Sequence, residues 1–113
     1  MKKGISYWAY SGKTYREAFG YAKKCGFDGV EVTLDAGGEI TLQTTDEQIL
    51  EIRKQAENSG IELYSVATSL YWDCPMSAND AQTRAKSEEI ARRQIDIAAL
   101  LGCDTVLVVP GLV

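Results

Sequence analysis

A junction pattern that occurs three times limits the folds open to this chain more than any other feature. Each copy has a glycine, an apolar residue, a carboxylate and then a strand-favouring run: Gly26-Phe-Asp28, Gly60-Ile-Glu62 and Gly102-Cys-Asp104. An amphipathic stretch precedes each glycine, and glycine is the residue that most often follows the end of a helix. The pattern therefore predicts three helix-to-strand junctions.

The spacing of these junctions predicts a parallel sheet. The glycines at positions 26, 60 and 102 lie 34 and 42 residues apart, which leaves room for a strand, a loop and a right-handed crossover helix. The predicted order is β-α-β-α-β-α-β, in a single domain over residues 1–113. We expect strands at about 4–10, 29–34, 62–69 and 104–109, and helices at about 14–25, 46–59 and 80–101.

The helix starts carry their own signals. Thr14-Tyr-Arg-Glu17 and Thr45-Asp-Glu-Gln48 have the form of capping boxes, and Asp80 is a side-chain cap for the longest helix. The run Asp104–Val109 is uninterrupted and apolar after its first residues, as in strands that are buried on both faces of a parallel sheet.

Four parallel strands fit two architectures. In a (β/α)8 barrel the order is 1-2-3-4 and the helices lie on one face, whereas a doubly wound sheet has helices on both faces. A nucleotide-binding sheet needs a glycine-rich first turn, but Ser11-Gly-Lys-Thr14 lacks the upstream glycine of a P-loop. A signalling domain of the open type needs an acidic cluster there, and Tyr7–Ser11 has no carboxylate.

We therefore predict an α/β fold: a partial (β/α)8 barrel with four parallel strands in the order 1-2-3-4. Whole barrels of this kind need about 250 residues, so the 113-residue chain would supply three βα units and a fourth strand. Such a piece would have open edges and one bare face.

Composition excludes several kinds of function. Without histidine the chain lacks the usual general base and metal ligand, and its three cysteines show no metal-site spacing, which indicates free structural thiols. A net charge of −4 argues against nucleic-acid and membrane partners. The N-terminus, Met1–Ile5, lacks a signal peptide, so a cytoplasmic location is the default expectation.

Glu31 is the unusual residue of strand 2. A carboxylate inside a buried strand is costly unless it is paired, so we expect Glu31 to face the barrel lumen and to bond a polar partner. Asp35 and Asp73 fall in loops, where we expect them to be solvated. The same holds for the three carboxylates of the junction pattern.

Three segments together resemble the xylose isomerase-like TIM barrels, in particular the sugar phosphate isomerase/epimerase branch with its ketose 3-epimerases. They are Gly26–Glu31, Ser65–Trp72 and Thr105–Gly111. The resemblance covers essentially the whole chain, as the N-terminal part of such a barrel. It implies an enzyme that binds a divalent metal (Mn²⁺, Co²⁺ or Mg²⁺) through two Glu, one Asp and one His at the ends of strands 5 to 8. The two glutamates would shuttle a proton through an enediolate.

None of those strands is predicted here, so no catalytic or metal-ligating residue is assigned, and we expect the chain alone to be inactive and without a bound cofactor. The resemblance also implies sugar contacts at the tops of strands 1 and 3 and after strand 4. Rings can stack on sugar C–H faces there, with core packing as the alternative, above all for Tyr10 and Tyr71. The predicted substrate-binding set is Tyr7, Trp8, Glu31, Thr68, Trp72 and Gly111.

Two functions from different classes follow. The first is the N-terminal portion of a metal-dependent sugar or sugar-phosphate isomerase/epimerase in carbohydrate metabolism, whose substrate is a sugar or sugar phosphate. The second is a non-catalytic half-barrel module that oligomerises through its exposed sheet face. Either a homo-oligomer or a missing C-terminal half would cover that face.

Overall fold

The computed structural model describes residues 1–111. Three strands, β1 to β3, form one sheet: Gly4–Ser6, Gly29–Leu34 and Glu62–Thr68. Three helices, α1 to α3, span Tyr15–Lys24, Asp46–Ser59 and Ala81–Leu101. Two 3₁₀ turns, Tyr7–Tyr10 and Leu70–Trp72, follow β1 and β3 directly.

The helix ends form as their sequence signals predict. Both capping boxes are present at the starts of α1 and α2, and the Asp80 side chain accepts a hydrogen bond from the Thr83 N–H at 2.9 Å at the start of α3. Gly60 and Gly102 follow α2 and α3 with φ of 70° and 77°. Only glycine adopts this left-handed backbone without strain.

The sheet is parallel and has the strand order β1-β2-β3. Ser6 pairs with Glu31, and Glu31 pairs with Ser65, so the three strands share one register level. Apolar side chains of β2 and β3 pack with those of all three helices in a single core. These features confirm the α/β class and the partial (β/α)8 barrel.

The prediction of a full strand over residues 104–109 is wrong. The segment joins β3 through one parallel bridge, in which the Val66 N–H donates to Thr105 O at 3.2 Å and the Leu107 N–H donates to Val66 O at 2.9 Å. Leu107 and Val108 are 46% and 39% exposed, so the run is not buried on both faces either. Within residues 1–111 no further strand pairs with the outer edge of this segment.

A buried glutamine holds this fourth segment in place. Gln94 of α3 is fully buried, and its Nε2 donates to Val66 O at 2.8 Å and to Leu107 O at 2.9 Å. The Tyr71 hydroxyl donates to Gln94 Oε1 at 2.8 Å. Because every polar atom of this side chain is satisfied, its burial is tolerated in an otherwise apolar core.

The first strand is also shorter than the predicted range 4–10, which is wrong for residues 7–10. After Ser6 the chain turns into the 3₁₀ segment, and the Ser6 hydroxyl accepts a hydrogen bond from the Trp8 N–H at 3.3 Å. The Tyr15 hydroxyl takes the place of the lost strand, since it bonds both the N–H of Thr33 at 3.0 Å and its carbonyl at 3.1 Å. Tertiary contacts thus override the strand propensity of the aromatic residues.

None of the helices in residues 1–111 is long and apolar enough to cross a membrane.

Candidate ligand-binding face at the strand ends

The sheet face opposite the helices, here called the open face, is polar. Along β2, alternate residues point to opposite sides of a sheet. Val30, Val32 and Leu34 are fully buried in the core with the helices. Glu31 and Thr33 therefore lie on the open face, and Asp35 continues the same row beyond the end of the strand.

Asp35 is the centre of the hydrogen-bond network on this face. Its Oδ2 accepts from the Thr33 hydroxyl at 2.7 Å, and its Oδ1 accepts from the Ser69 hydroxyl at 2.6 Å. The Trp8 indole Nε1 donates to both oxygens at 3.3 Å. The carboxylate thus joins the segments that follow all three strands at their carboxyl ends.

The expectation that Asp35 is solvated is therefore wrong, and sequence reasoning missed the most connected polar group of the site. A signal was present in the chain. Asp35 lies four residues after Glu31 and two after Thr33, a spacing that places all three on one face if β2 is extended to its end. Asp73, by contrast, is exposed, as expected.

Glu31 lies lower on the same face and has the polar partner that we expected. The Ser65 hydroxyl donates to Glu31 Oε2 at 2.6 Å, across the β2–β3 pair. Glu31 is half-buried. A charge-assisted bond of this length stabilises the carboxylate while it stays within reach of a ligand on the open face.

The amino-terminal end of the open face is closed by a ring. A side chain at Gly4 or Gly29 would overlap the ring of Tyr64, so glycine at both positions lets this ring lie against the backbone. Tyr64 is the extra residue at a register shift of β3 opposite Val30 and Glu31. A ligand on this face is therefore confined to the carboxyl ends, as in (β/α)8 barrels generally.

The first two of the three aromatic residues after β1 differ. The Trp8 side chain is 44% exposed and borders the face with its indole N–H bonded to Asp35. The ring of Tyr7 stacks on Tyr15 with centroids 3.9 Å apart, and its hydroxyl donates to the Lys13 carbonyl. Tyr7 therefore has one ring face and its hydroxyl committed within the chain, whereas Trp8 is available to a ligand.

The two aromatic residues after β3 differ in the same way. Trp72 is 53% exposed, in the 3₁₀ turn that begins directly after Ser69. Tyr71 is 1% exposed and bonds Gln94, which confirms the expected packing role. Each turn thus supplies one exposed indole and one packed phenol.

Two members of the predicted set lie apart from the open face. Thr68 is 3% exposed, and its hydroxyl donates to Leu34 O at 2.6 Å and accepts from the Leu70 N–H at 3.1 Å. Both hydrogen bonds of this hydroxyl are therefore made to backbone atoms. Gly111 packs against Ser77 and Pro75 in the loop after β3, with no room for a side chain. The structure therefore brings Trp8, Asp35 and Ser69 together through hydrogen bonds, with Glu31 lower on the same face and Trp72 exposed in the turn after Ser69.

The open face carries negative charge. Glu31 and Asp35 make no ion pair with any basic side chain in residues 1–111. Burial raises the pKa of the Tyr7 phenol, and the carboxylates of Glu39, Asp35 and Glu17 raise it further. An anionic group of a ligand would be repelled here, whereas hydroxyl groups find carboxylate acceptors.

The loop after β2 is held against the rest of the protein by several contacts, which argues against a mobile lid over the open face. Ile40 is 1% exposed and its carbonyl accepts from the Asp35 N–H at 3.0 Å. The Glu39 carboxylate accepts from the Tyr15 N–H at 2.5 Å, and Arg93 donates to Thr44 O at 2.7 Å. A cleft of about 420 Å³ lies between this loop and α2, away from the grouped residues.

The described part of the chain does not provide a set of ligands for a metal ion. Among residues 1–111 no three carboxylate, thiol or imidazole groups lie close enough together to hold one. Cys25, Cys74 and Cys103 are free thiols, and burial raises the pKa of Cys103 to about 11. No step of a reaction is therefore derived from a metal held by these residues.

A parallel sheet with its helices on one side defines one part of a (β/α)8 barrel, and its polar groups and the Trp8 indole lie at the carboxyl ends of the strands, the end where such barrels have their sites. The family model described as Xylose isomerase-like TIM barrel matches residues 19–113. The chain belongs to this family, which confirms the resemblance seen in the sequence.

Known relatives are sugar epimerases. One is a protein of Haemophilus influenzae that bears the provisional name L-ribulose-5-phosphate 3-epimerase SgbU, 30% identical over 95 residues. L-ribulose-5-phosphate 3-epimerase UlaE of Escherichia coli is 30% identical over 94 residues. The matches cover 82% and 81% of this chain but 33% of each relative.

A solved D-psicose 3-epimerase, determined in the presence of D-fructose, is 27% identical with a TM-score of 0.73. That match covers 94% of this chain and 36% of the epimerase. The chain therefore spans about a third of the length of the relatives that it matches.

Proposed function

We propose that this chain is the first part of a sugar or sugar-phosphate 3-epimerase, and that it supplies part of the sugar pocket but not the groups that move the proton. The observation that carries the proposal is the open face itself. Support comes from the hydrogen-bonded carboxylate and hydroxyl groups at the strand ends, from the exposed Trp8 indole bonded to them, and from the exposed Trp72 in the turn after Ser69. This combination suits a sugar, whose C–H faces stack on rings and whose hydroxyls need acceptors.

The charge of the face indicates which part of a substrate it contacts. Phosphate recognition in proteins uses Arg and Lys donors or helix N-termini. Glu31 and Asp35 are negative and make no ion pair within residues 1–111. We therefore infer that the hydroxylated, uncharged part of the sugar lies on the open face, whether or not the substrate carries a phosphate elsewhere.

Of the predicted set, Trp8, Glu31 and Trp72 remain the substrate-binding candidates, and Asp35 adds the carboxylate that bonds the Trp8 indole. Tyr7 contributes through the one ring face that Tyr15 leaves uncovered. For Thr68 and Gly111 the proposed role is indirect, because their contacts shape the strand ends.

The epimerisation itself is proton transfer at a carbon next to a carbonyl, through an enediolate. In the full-length protein we propose a divalent metal for this step, with ligands from outside residues 1–111. A cytoplasmic location and a role in carbohydrate metabolism belong to the same proposal.

The test uses the full-length protein with Mn²⁺, assayed on D-fructose and on L-ribulose 5-phosphate. Chromatography of the products should show the 3-epimer of at least one of them. The matched control is the 113-residue chain under the same conditions, which should form no epimer. Absence of any 3-epimer with the full-length protein, across free and phosphorylated ketoses, would overturn the proposed function.

The second candidate, a half-barrel assembly module, is favoured by one observation. The fourth segment and α3 carry exposed apolar side chains, Ile95 at 57%, Leu107 at 46% and Val108 at 39%. A cleft of about 230 Å³ lined by Ile95, Ala98 and Val106 lies beside them. Such an edge favours pairing with a second copy of the chain.

Mass measurement in solution separates this candidate from the first. A dimer of the 113-residue chain that dissociates on Leu107→Lys would support the module. A monodisperse, folded monomer at about 100 µM would contradict it.

A further inference from the structure

Three separate segments meet at the Asp35 carboxylate. Trp8 comes from the 3₁₀ turn after β1, Thr33 from β2 itself, and Ser69 from the end of β3. Among residues 1–111, no other side chain of the open face bonds all three strand ends. Loss of this one carboxylate would therefore release three neighbours at the same time.

The bond lengths divide the partners into two kinds. The Thr33 and Ser69 hydroxyls donate at 2.7 and 2.6 Å, one to each oxygen, which fixes the plane of the carboxylate. The Trp8 Nε1 donates to both oxygens at 3.3 Å, a longer and shared bond. The hydroxyls thus hold the carboxylate, and the carboxylate holds the indole.

An exposed indole needs such a partner. Trp8 is 44% exposed, so packing alone leaves its ring free to adopt other rotamers. A ring that is already fixed in its bound orientation loses less entropy when a ligand stacks on it. A held indole consequently binds more tightly than a free one with the same contacts.

We propose that Asp35 is a positioning residue, which holds the Trp8 indole at the border of the open face and so sets the affinity for the ketose. This inference rests on the proposed function. Asp35 acts through Trp8 and takes no part in the proton transfer. An amide at this position keeps the size of the side chain, but it has only one acceptor oxygen for three donors.

The test is a double-mutant cycle in the full-length protein, with Asp35→Asn, Trp8→Phe and the pair combined, and with D-fructose as the ketose. Each single change should raise KM about tenfold, the effect of a lost hydrogen bond to a charged group, with kcat within about twofold. The combined variant should be no worse than the single ones, because both changes remove the same interaction. Asp73→Asn, at an exposed carboxylate in the loop after β3, is the matched control and should leave KM unchanged.

A second readout follows the indole directly. The ¹H–¹⁵N signal of the Trp8 indole, assigned by its loss in Trp8→Phe, should move upfield in Asp35→Asn and stay in place in Asp73→Asn. An unmoved signal overturns the inference, and so do effects on KM that multiply in the combined variant. If the full-length protein turns over no ketose, the proposed function fails, and D-fructose affinity by calorimetry replaces KM in the cycle. A protein that binds neither D-fructose nor L-ribulose 5-phosphate overturns both.

Discussion

The two faces of strand β2 are formed by alternate residues of the same six-residue segment, yet they differ in polarity and burial. On the helix side, Val30, Val32 and Leu34 are fully buried, and their side chains are apolar. On the open side, the Glu31 carboxylate accepts a hydrogen bond from Ser65, and the Thr33 hydroxyl donates one to Asp35. One face provides stability by burial, and the other holds polar groups in a hydrogen-bond network where we propose that a ligand binds.

The difference has an energetic basis. Each fully buried aliphatic side chain contributes about 1.5–3 kcal/mol by leaving water. A hydrogen bond to a half-buried group such as Glu31 contributes about 1 kcal/mol net, because water competes for the same group. Substitutions on the two faces should therefore separate into two classes, with large effects on folding or large effects on binding.

The largest effect is expected on the helix side. Leu34→Ala should lower the free energy of unfolding by about 3 kcal/mol, since Leu34 has no exposed surface and the rigid core leaves a cavity. Urea denaturation followed by circular dichroism measures it. Leu50→Ala, at a position that is 46% exposed on α2, is the control and should cost far less. A loss below about 1 kcal/mol for Leu34→Ala would break the division between the faces.

Tyr15→Phe should come next, at about 2 kcal/mol, because it leaves the N–H and carbonyl of Thr33 without the hydroxyl that replaces β1. Burial raises the pKa of Tyr15 above its usual value. The folded state therefore favours the neutral phenol, and this contribution is present below pH 10 and is lost as pH rises above it. Between pH 8 and pH 11, the urea midpoint of unfolding should fall less in Tyr15→Phe than in the unchanged protein. Equal falls would contradict the role of this hydroxyl.

On the open side the expected effect on folding is smaller. Ser65→Ala removes the donor to Glu31, and because Glu31 is half-buried, water can replace the hydroxyl. We expect a loss of less than about 1 kcal/mol in unfolding, together with weaker ketose binding. A loss as large as that of Leu34→Ala, in the same urea experiment, would show that the open face serves folding instead.

The smallest effect is expected away from both faces. Glu88 and Arg92 form an ion pair at 2.8 Å on α3, with side chains 65% and 76% exposed. Arg92→Ala should change stability by less than about 0.5 kcal/mol, since exposed pairs are screened. Thermal unfolding at two salt concentrations measures this change. A change above about 1 kcal/mol would mean that contacts outside the core and the open face also contribute to stability.

The sequence predicted those parts of the fold that depend on local signals. Glycines at positions 60 and 102 and the capping boxes at Thr14 and Thr45 indicated where helices end and begin. The residues after β1 could not be predicted in this way. Their aromatic character favours a strand, and only the contact of Tyr15 with Thr33, 18 residues apart, explains the turn that forms instead.

The candidate site was predictable in part for a similar reason. Glu31 stood out because a carboxylate inside a strand is unusual, and the sequence shows a tryptophan near the end of each of the predicted strands 1 and 3. Asp35 was missed because loop carboxylates are usually solvated, and its partners Trp8 and Ser69 are distant in sequence, 27 and 34 residues away. Thr68 looked like a pocket residue because its position in the strand does not show that its hydroxyl bonds Leu34.

The central claim is that the open face binds a sugar, whereas the groups that move the proton lie outside residues 1–111. Solvent deuterium exchange tests it most directly, with D-fructose and Mn²⁺ in D₂O and the label at C3 followed by NMR. We predict that the full-length protein incorporates deuterium at C3 and that the 113-residue chain incorporates none. Incorporation by the 113-residue chain alone would contradict the claim, because the proton-transfer groups would then lie within it.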